Sequence, residues 1–192
     1  KEIIDILSDY AEKDIVEIGG GYGGMAFQLA SMITTEKFKY RLYDIPEVAA
    51  LSSAFLLTSL QSHNIKLYGE ENDLNDEASQ ICIYPHFAIS DIEDNSVDLF
   101  YNSCSFSEMD GTTANYYLKT IERASRNFFM HDNHDTKFSF VEANGQVSEN
   151  IVGSELIPDV NKFRLVYKKP RTHGLPEDNS FVHHEFLYKK LS

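Results

Sequence analysis

Apolar positions along this 192-residue chain change period several times. Ile3, Ile4, Leu7, Tyr10 and Ala11 recur at helical spacing over 1–12, and "DIVEI" (14–18) is a short apolar run of strand type. Behind a run of glycines, Met25, Phe27, Leu29, Ala30 and Ile33 restore the helical period as far as Thr34 and Thr35. "KYRLYDI" (39–45) reads as a second strand that stops at Pro46, and that proline suits the first turn of a helix over 46–63. The acidic segment 64–80 surrounds one short apolar piece and reads as loop with a short strand or turn. "ICIYP" (81–85) and "SVDLFYNSCSF" (96–106) follow as strands, the second after the turn signal Glu93-Asp94-Asn95. A helix over 112–125 then leads to a fifth strand, 127–132.

Strands alternating with helices predict an α/β domain, its parallel sheet covered by crossover helices on both faces. The tail departs from this. "KFRLVYKK" (162–169) and "SFVHHEFLYKK" (180–190) are two strand patterns with no helix between them, which predicts an antiparallel pair added to the sheet. Residues 133–160 fit neither period.

Length favours one domain over 1–192, and Lys1 in first place leaves room for the sequence to be a piece cut from a longer chain. No apolar run reaches the length of a membrane span and no signal-peptide pattern opens the chain, so a cytoplasmic protein is expected. A formal net charge of −13 repels polyanions, which argues against a nucleic-acid partner. Cys82 and Cys104 sit in separate apolar runs without metal-ligand spacing and read as buried thiols of a reducing compartment. The 11 Tyr and 13 Phe lie at core spacing rather than in a sugar-stacking row.

Composition leaves the chemistry open; the glycine run narrows it. "DIVEIGGGYGGMAFQLA" (14–30) places five glycines in six positions between a strand and a helix. Such a turn presents backbone N–H groups and lets a ligand approach the main chain closely. Gly19-x-Gly21-x-x-Gly24 satisfies a dinucleotide fingerprint, whereas Glu17-x-Gly19-x-Gly21-x-Gly23 satisfies the acid-first pattern of methyl-donor sites. A carboxylate at Glu17 repels a pyrophosphate and suits a ligand carrying ammonium and sulfonium charge, as S-adenosylmethionine does. Asp44, at the end of the second strand, can accept both ribose hydroxyls. Tyr22 must turn its side chain away from the cradle and border the cofactor.

"VEIGGGYGG", "YDIPE", "PHFAISDIEDNSVDLFYNSCSFSEMD" and "FFMHDNHD" together resemble the class I S-adenosylmethionine-dependent methyltransferases, most closely the sugar O-methyltransferase family, from about residue 14 to the tail strands. The resemblance implies a Rossmann-like, doubly wound, seven-stranded sheet of order 3-2-1-4-5-7-6 whose last strand is antiparallel. It also implies cofactor contacts from Glu17, Gly19, Gly21, Tyr22 and Gly23. Asp44 and Ile45 would serve the ribose, His86, Phe87 and Ala88 the adenine, and Asn102 and Ser103 the methionine moiety.

Methyl transfer to oxygen needs an aligned hydroxyl and a group to take its proton. At the strand ends, "SFSEMD" offers Glu108 and Asp110, and "MHDNHD" offers His131, Asp132, His134 and Asp135. His134 is the expected base, oriented by Asp132 or Asp135, with His131 read as structural. Asp132-Asn133 with Glu108 or Asp110 is a less favoured Mg²⁺ site. His183 and His184 alternate across the last strand, so at most one faces the cleft. His63 and His173 carry no signal. The expected activity is methylation of a hydroxylated small molecule, a sugar or glycosylated metabolite. An NAD-dependent oxidoreductase and a noncatalytic interaction module are the rivals, the first of which leaves Glu17 badly placed.

Overall fold

The computed structural model describes residues 2–10, 13–33, 38–70, 80–141, 145–171 and 183–191. The α-helices among these residues are α1 (Glu2–Ile6), α2 (Gly24–Met32), α3 (Pro46–Ser59) and α4 (Gly111–Ala124). The first six strands are β1 (Lys13–Ile18), β2 (Phe38–Asp44), β3 (Asn64–Leu67), β4 (Gln80–Pro85), β5 (Val97–Ser103) and β6 (Ser125–His134). A small hairpin of β7 (Ser139–Val141) and β8 (Val147–Glu149) follows, then β9 (Phe163–Pro170) and β10 (His183–Lys190). No helix among the described residues is long and apolar enough to cross a membrane.

The main sheet runs β3-β4-β2-β1-β5-β6-β10-β9. Pairings from β3 through β6 are parallel, and β10 is antiparallel to both neighbours. Leaving out the outermost β3, this is the expected seven-strand order, reversed strand included. The eighth strand arises because Ile65 and Leu67 extend the edge beyond β4 within the segment read mainly as loop. The hairpin fills part of the stretch left unassigned.

Alternation along the strands divides the core between two faces. On one, Ile15, Tyr40, Leu42, Leu99, Tyr101, Met130 and Leu187 meet Ala26 and Leu29 of α2 and Leu56 of α3. On the other, Val16, Ile18, Tyr43, Phe100, Phe129 and Phe186 meet Ala114, Tyr117 and Ile121 of α4. Strands buried on both faces explain the near-continuous apolar runs in the sequence.

Two boundaries differ from expectation where the site lies. The fourth predicted strand ends at Ser103 rather than 106, because Cys104 takes a left-handed φ of 66° and Ser105–Glu108 coil into a 3₁₀ turn. The helix expected from Thr112 starts one residue earlier. Asp110 caps it by accepting from the N–H groups of Thr112 (2.8 Å) and Thr113 (3.0 Å).

Candidate active site

The glycine turn joins β1 to α2 at the carboxyl edge of the sheet, where parallel α/β folds bind their ligands. The Gly19 N–H donates to the Tyr43 carbonyl at 2.8 Å, tying the turn to the end of β2. Gly19, Gly21 and Gly23 have φ of 73°, 55° and 92°. A Cβ at Gly19 would stand 2.1 Å from Ser105 Oγ, so close approach as well as conformation requires glycine there. The Asp44 carboxylate accepts from the N–H groups of Gly21 (2.9 Å) and Ile45 (2.8 Å). Burial raises its pKa against the opposing effect of those two bonds.

These elements wall a crevice of about 440 Å³, within the range of cofactor sites. Gly19, Gly21, Asp44, Ile45, His86 and Ser103, all expected at the cofactor, line it. So do Cys104, Ser105, Glu108 and Tyr117. Other expected contacts lie elsewhere. Gly23 packs behind the turn against Leu56, and the exposed Tyr22 ring leans edge-on against Phe55 of α3, pointing away from the crevice as its bulk demands. Phe87 is exposed beside Tyr68, whereas Ala88 is buried in the core. Asn102 is wholly buried: its amide donates to the Ile18 carbonyl at 2.8 Å and also to Ser105 Oγ, and its Oδ1 accepts from Asn133. It braces the turn instead of lining the crevice.

Glu17 also differs from expectation. Strand alternation puts its side chain on the face of Ile15, beneath the turn, and only 3% of the residue is exposed. Tyr40 Oη donates to Glu17 Oε2 at 2.6 Å. Burial lifts the carboxyl pKa to about 7 even though that bond lowers it. Glu17 therefore presents no open charge to the crevice.

Next to Cys104 of the crevice wall, β6 and β10 pair so that His134 stands opposite His183. Asp132 is 1% exposed. It forms an ion pair with Arg171, accepts from Ser103 Oγ at 3.2 Å, and places Oδ1 3.5 Å from His183 Nδ1. The His134 ring lies 3.9 Å from the His183 ring, centre to centre. Burial, and then the neighbouring His183, lower the His134 pKa and favour the neutral imidazole.

Asp135 does not join them. It turns to the opposite face, 2.5 Å from Lys168 Nζ and 3.2 Å from His184 Nδ1, and accepts from the Ser154 N–H at 2.9 Å. The role of orienter expected of it is thereby corrected. His131 is fully buried and stacked on Phe186 (4.6 Å) and Phe129 (5.1 Å), with burial pressing its pKa down to about 3; it is structural, as read from the sequence. His183, not His184, is the tail histidine on the side of Asp132. The Mg²⁺ set is not assembled. Asn133 is buried and bonded to Asn102 and Ser107, Asp110 is occupied as a helix cap, and Asp132 faces Arg171.

Three residues here escaped the sequence reading of the site. Cys104 lines the crevice from the unusual turn after β5, His183 was read only as one of two tail histidines of which at most one faces the cleft, and Arg171 sat in a segment with no pattern. No signal along the chain marked them; Cys104 fell inside the strand read over 96–106.

No protein-family model matches the chain, and no curated protein matches its sequence. Solved structures do match its fold. The PH0226 protein from Pyrococcus horikoshii OT3 is 13% identical over 99% of this chain and 90% of its own, with a TM-score of 0.62. Magnesium protoporphyrin IX methyltransferase from Synechocystis PCC 6803, with bound S-adenosylhomocysteine, is 8% identical over 99% and 80%, at 0.64. The 1,6-didemethyltoxoflavin-N1-methyltransferase from Burkholderia thailandensis, with bound 1,6-didemethyltoxoflavin and S-adenosylhomocysteine, is 10% identical over 99% and 76%, at 0.61. The chain thus has the Rossmann-like fold shared by S-adenosylmethionine-dependent methyltransferases of diverse substrates.

Proposed function

We propose that the chain binds S-adenosylmethionine in the crevice beneath Asp44 and transfers its methyl group to a hydroxyl of a small molecule, a sugar or glycosylated metabolite. The observation that carries this reading is the Asp44 carboxylate held against the Gly21 amide at a crevice mouth, in a fold shared with S-adenosylmethionine-dependent enzymes. Asp44 and Ile45 would serve the ribose, and His86 would border the adenine. Ser103, at the end of β5, would border the methionine moiety. The Asp44 carboxylate in the crevice wall suits a cationic ligand better than a diphosphate.

For the reaction, the acceptor O–H gives its proton to His134 and the oxygen attacks the methyl carbon in line. The carbon–sulfur bond breaks with its electron pair left on sulfur, which becomes neutral. A methyl ether and S-adenosylhomocysteine result. Asp132 stands 3.5 Å from His183, whose ring packs against that of His134. The sugar class rests on the sequence resemblance, and O-transfer rests on the imidazole and carboxylate at the strand ends.

Calorimetric titration with S-adenosylmethionine, S-adenosylhomocysteine and NAD tests the cofactor. Micromolar binding of the first two and none of NAD is expected, and the reverse would replace this reading with a dehydrogenase. Turnover of methyl-labelled S-adenosylmethionine against a panel of glycosides, followed by mass spectrometry, tests the acceptor.

A further inference from the structure

We infer that Cys104, Asp132 and His183 form a binding site for a divalent transition ion of the zinc class, set where the cofactor crevice meets a second, larger cavity. Cys104 Sγ lies 3.8 Å from His183 Nδ1, and Asp132 Oδ1 lies 3.5 Å from the same nitrogen. All three donor atoms fall within 4.8 Å of one another. Tetrahedral zinc with the usual bond lengths separates sulfur from nitrogen by about 3.6 Å and nitrogen from carboxylate oxygen by about 3.4 Å. The two measured edges are within a few tenths of an ångström of those values.

A catalytic relay fits less well. It would need sulfur on one imidazole nitrogen and carboxylate on the other, whereas here both approach Nδ1. Thiolate, imidazole and carboxylate converging on one point form instead a mixed donor set that selects zinc-like ions over Mg²⁺.

Two further observations point to a ligand. Asp132 Oδ1 is buried and accepts no hydrogen bond among the described residues, while Oδ2 is occupied by Arg171 and Ser103. Left so, one oxygen of a buried carboxylate is desolvated without return. Cys104 is also held in a backbone conformation rare for its type, φ 66°, with its N–H donating to the Asp132 carbonyl at 2.7 Å and its carbonyl accepting from Ser107. The strained turn fixes the sulfur against β6 and β10.

The location adds a role. Ser103 and Cys104 line the cofactor crevice. Asp132 and Arg171 line a cavity of about 920 Å³ on the α2 side, whose walls include Met25, Gln28, Tyr101 and Glu185. The cluster thus stands at the partition between the two. Three protein donors leave a fourth position open, as in zinc sites that act on substrates. Resting on the methyl-transfer reading, that position takes the acceptor oxygen from the larger cavity and lowers its pKa, and the proton leaves to His134.

The test uses untagged full-length protein, stripped with a chelator and titrated with Co²⁺ in the absence of any cofactor. One equivalent should bind, with tetrahedral visible bands and a thiolate-to-cobalt charge-transfer band in the near ultraviolet, and Zn²⁺ should displace it. Cys104→Ser should abolish the charge-transfer band, and His183→Ala should weaken binding at least tenfold. His63→Ala, remote from the cluster, should change neither. Where a variant unfolds by circular dichroism, protection of Cys104 in the unaltered protein from iodoacetamide by Zn²⁺ gives the same answer. No saturable Co²⁺ uptake, or a charge-transfer band that survives in Cys104→Ser, overturns the site. Full methyl transfer by metal-stripped protein that takes up no Co²⁺ overturns the site and leaves the methyltransferase reading standing. Stoichiometric Co²⁺ binding without any affinity for S-adenosylmethionine supports the site and removes only the role of its open position.

Discussion

Tyr40 Oη donates to Glu17 Oε2 at 2.6 Å beneath the glycine turn, and this bond ties the carboxyl end of β1 to β2 at a buried point. The Glu17 pKa, raised by burial from its ordinary 4.5 to about 7, has a consequence for stability. An acid that holds its proton more tightly when folded gives a contribution complete below pH 4.5 and lost as pH rises to about 7. The loss is on the order of 3 kcal/mol at most. Chemical denaturation at pH 5 and pH 8 should therefore show a drop in the native protein that is much smaller in Glu17→Gln. Tyr40→Phe removes the bond that lowers this pKa, so its decline with pH should be steeper still. Equal pH slopes in all three proteins would refute the assignment.

Gly19 and Gly21 share a left-handed conformation but not their surroundings. A Cβ at Gly19 meets Ser105 Oγ and Cβ at 2.1 and 2.4 Å, whereas one at Gly21 meets nothing within 4 Å. Gly21→Ala should cost only the left-handed penalty of about 1–2 kcal/mol. Gly19→Ala adds displacement of Ser105, which also donates to the Ile18 carbonyl at 3.2 Å, and should cost about 3 kcal/mol or more. Thermal unfolding of the two variants side by side measures the difference.

Much of the fold was legible because its signals are local. Alternating strand and helix periods located β1, β2, β4, β5, β6 and the tail pair, and the absence of a helix between the last two strands announced the reversed one. β3 was too short to show a period. The same locality decided the site. Gly19, Gly21 and Asp44 could be read because a turn and a strand end are each contiguous pieces of chain. Cys104 and His183 are 79 residues apart and meet only because β10 inserts beside β6. No spacing along the chain encodes that meeting. Glu17 is an intermediate case: alternation with Ile15 already placed it on a core face, a restriction that its closeness to the glycines obscured.

Asp44 should carry cofactor affinity. Its carboxylate is bonded to two backbone amides and stands at the crevice wall, so Asp44→Ala removes an ionised acceptor from the ribose position and frees the Gly21 amide. Hydrogen bonds to charged groups contribute about 1.5–3 kcal/mol each, which corresponds to a loss of at least tenfold in S-adenosylmethionine affinity by calorimetry. Asp44→Asn retains one acceptor oxygen without the charge and should fall between the two. Unchanged affinity in Asp44→Ala would remove the ribose from this position.

Asp132 and Asp135 are three residues apart but lie on opposite faces of the sheet end, so substitutions at Asp135 and at His134, on the Asp132 side, should act differently. Asp135→Asn leaves the His134–His183 pair untouched and should keep kcat within twofold. Its effect belongs to stability: burial raises the Asp135 pKa, but hydrogen bonds from Lys168 and Ser154 outweigh it and hold the carboxyl below its ordinary value. That contribution is present above pH 3.8 and lost as pH falls through the lower folded value, so native protein and variant should converge in acid. His134→Ala should instead leave cofactor affinity intact and lower kcat about a hundredfold or more, the usual worth of a general base. Because burial and His183 depress the His134 pKa, the acid limb of the native pH–rate profile should have its midpoint below the ordinary imidazole value of 6.5. A midpoint at or above 6.5, or full activity in His134→Ala, would transfer the proton to another group.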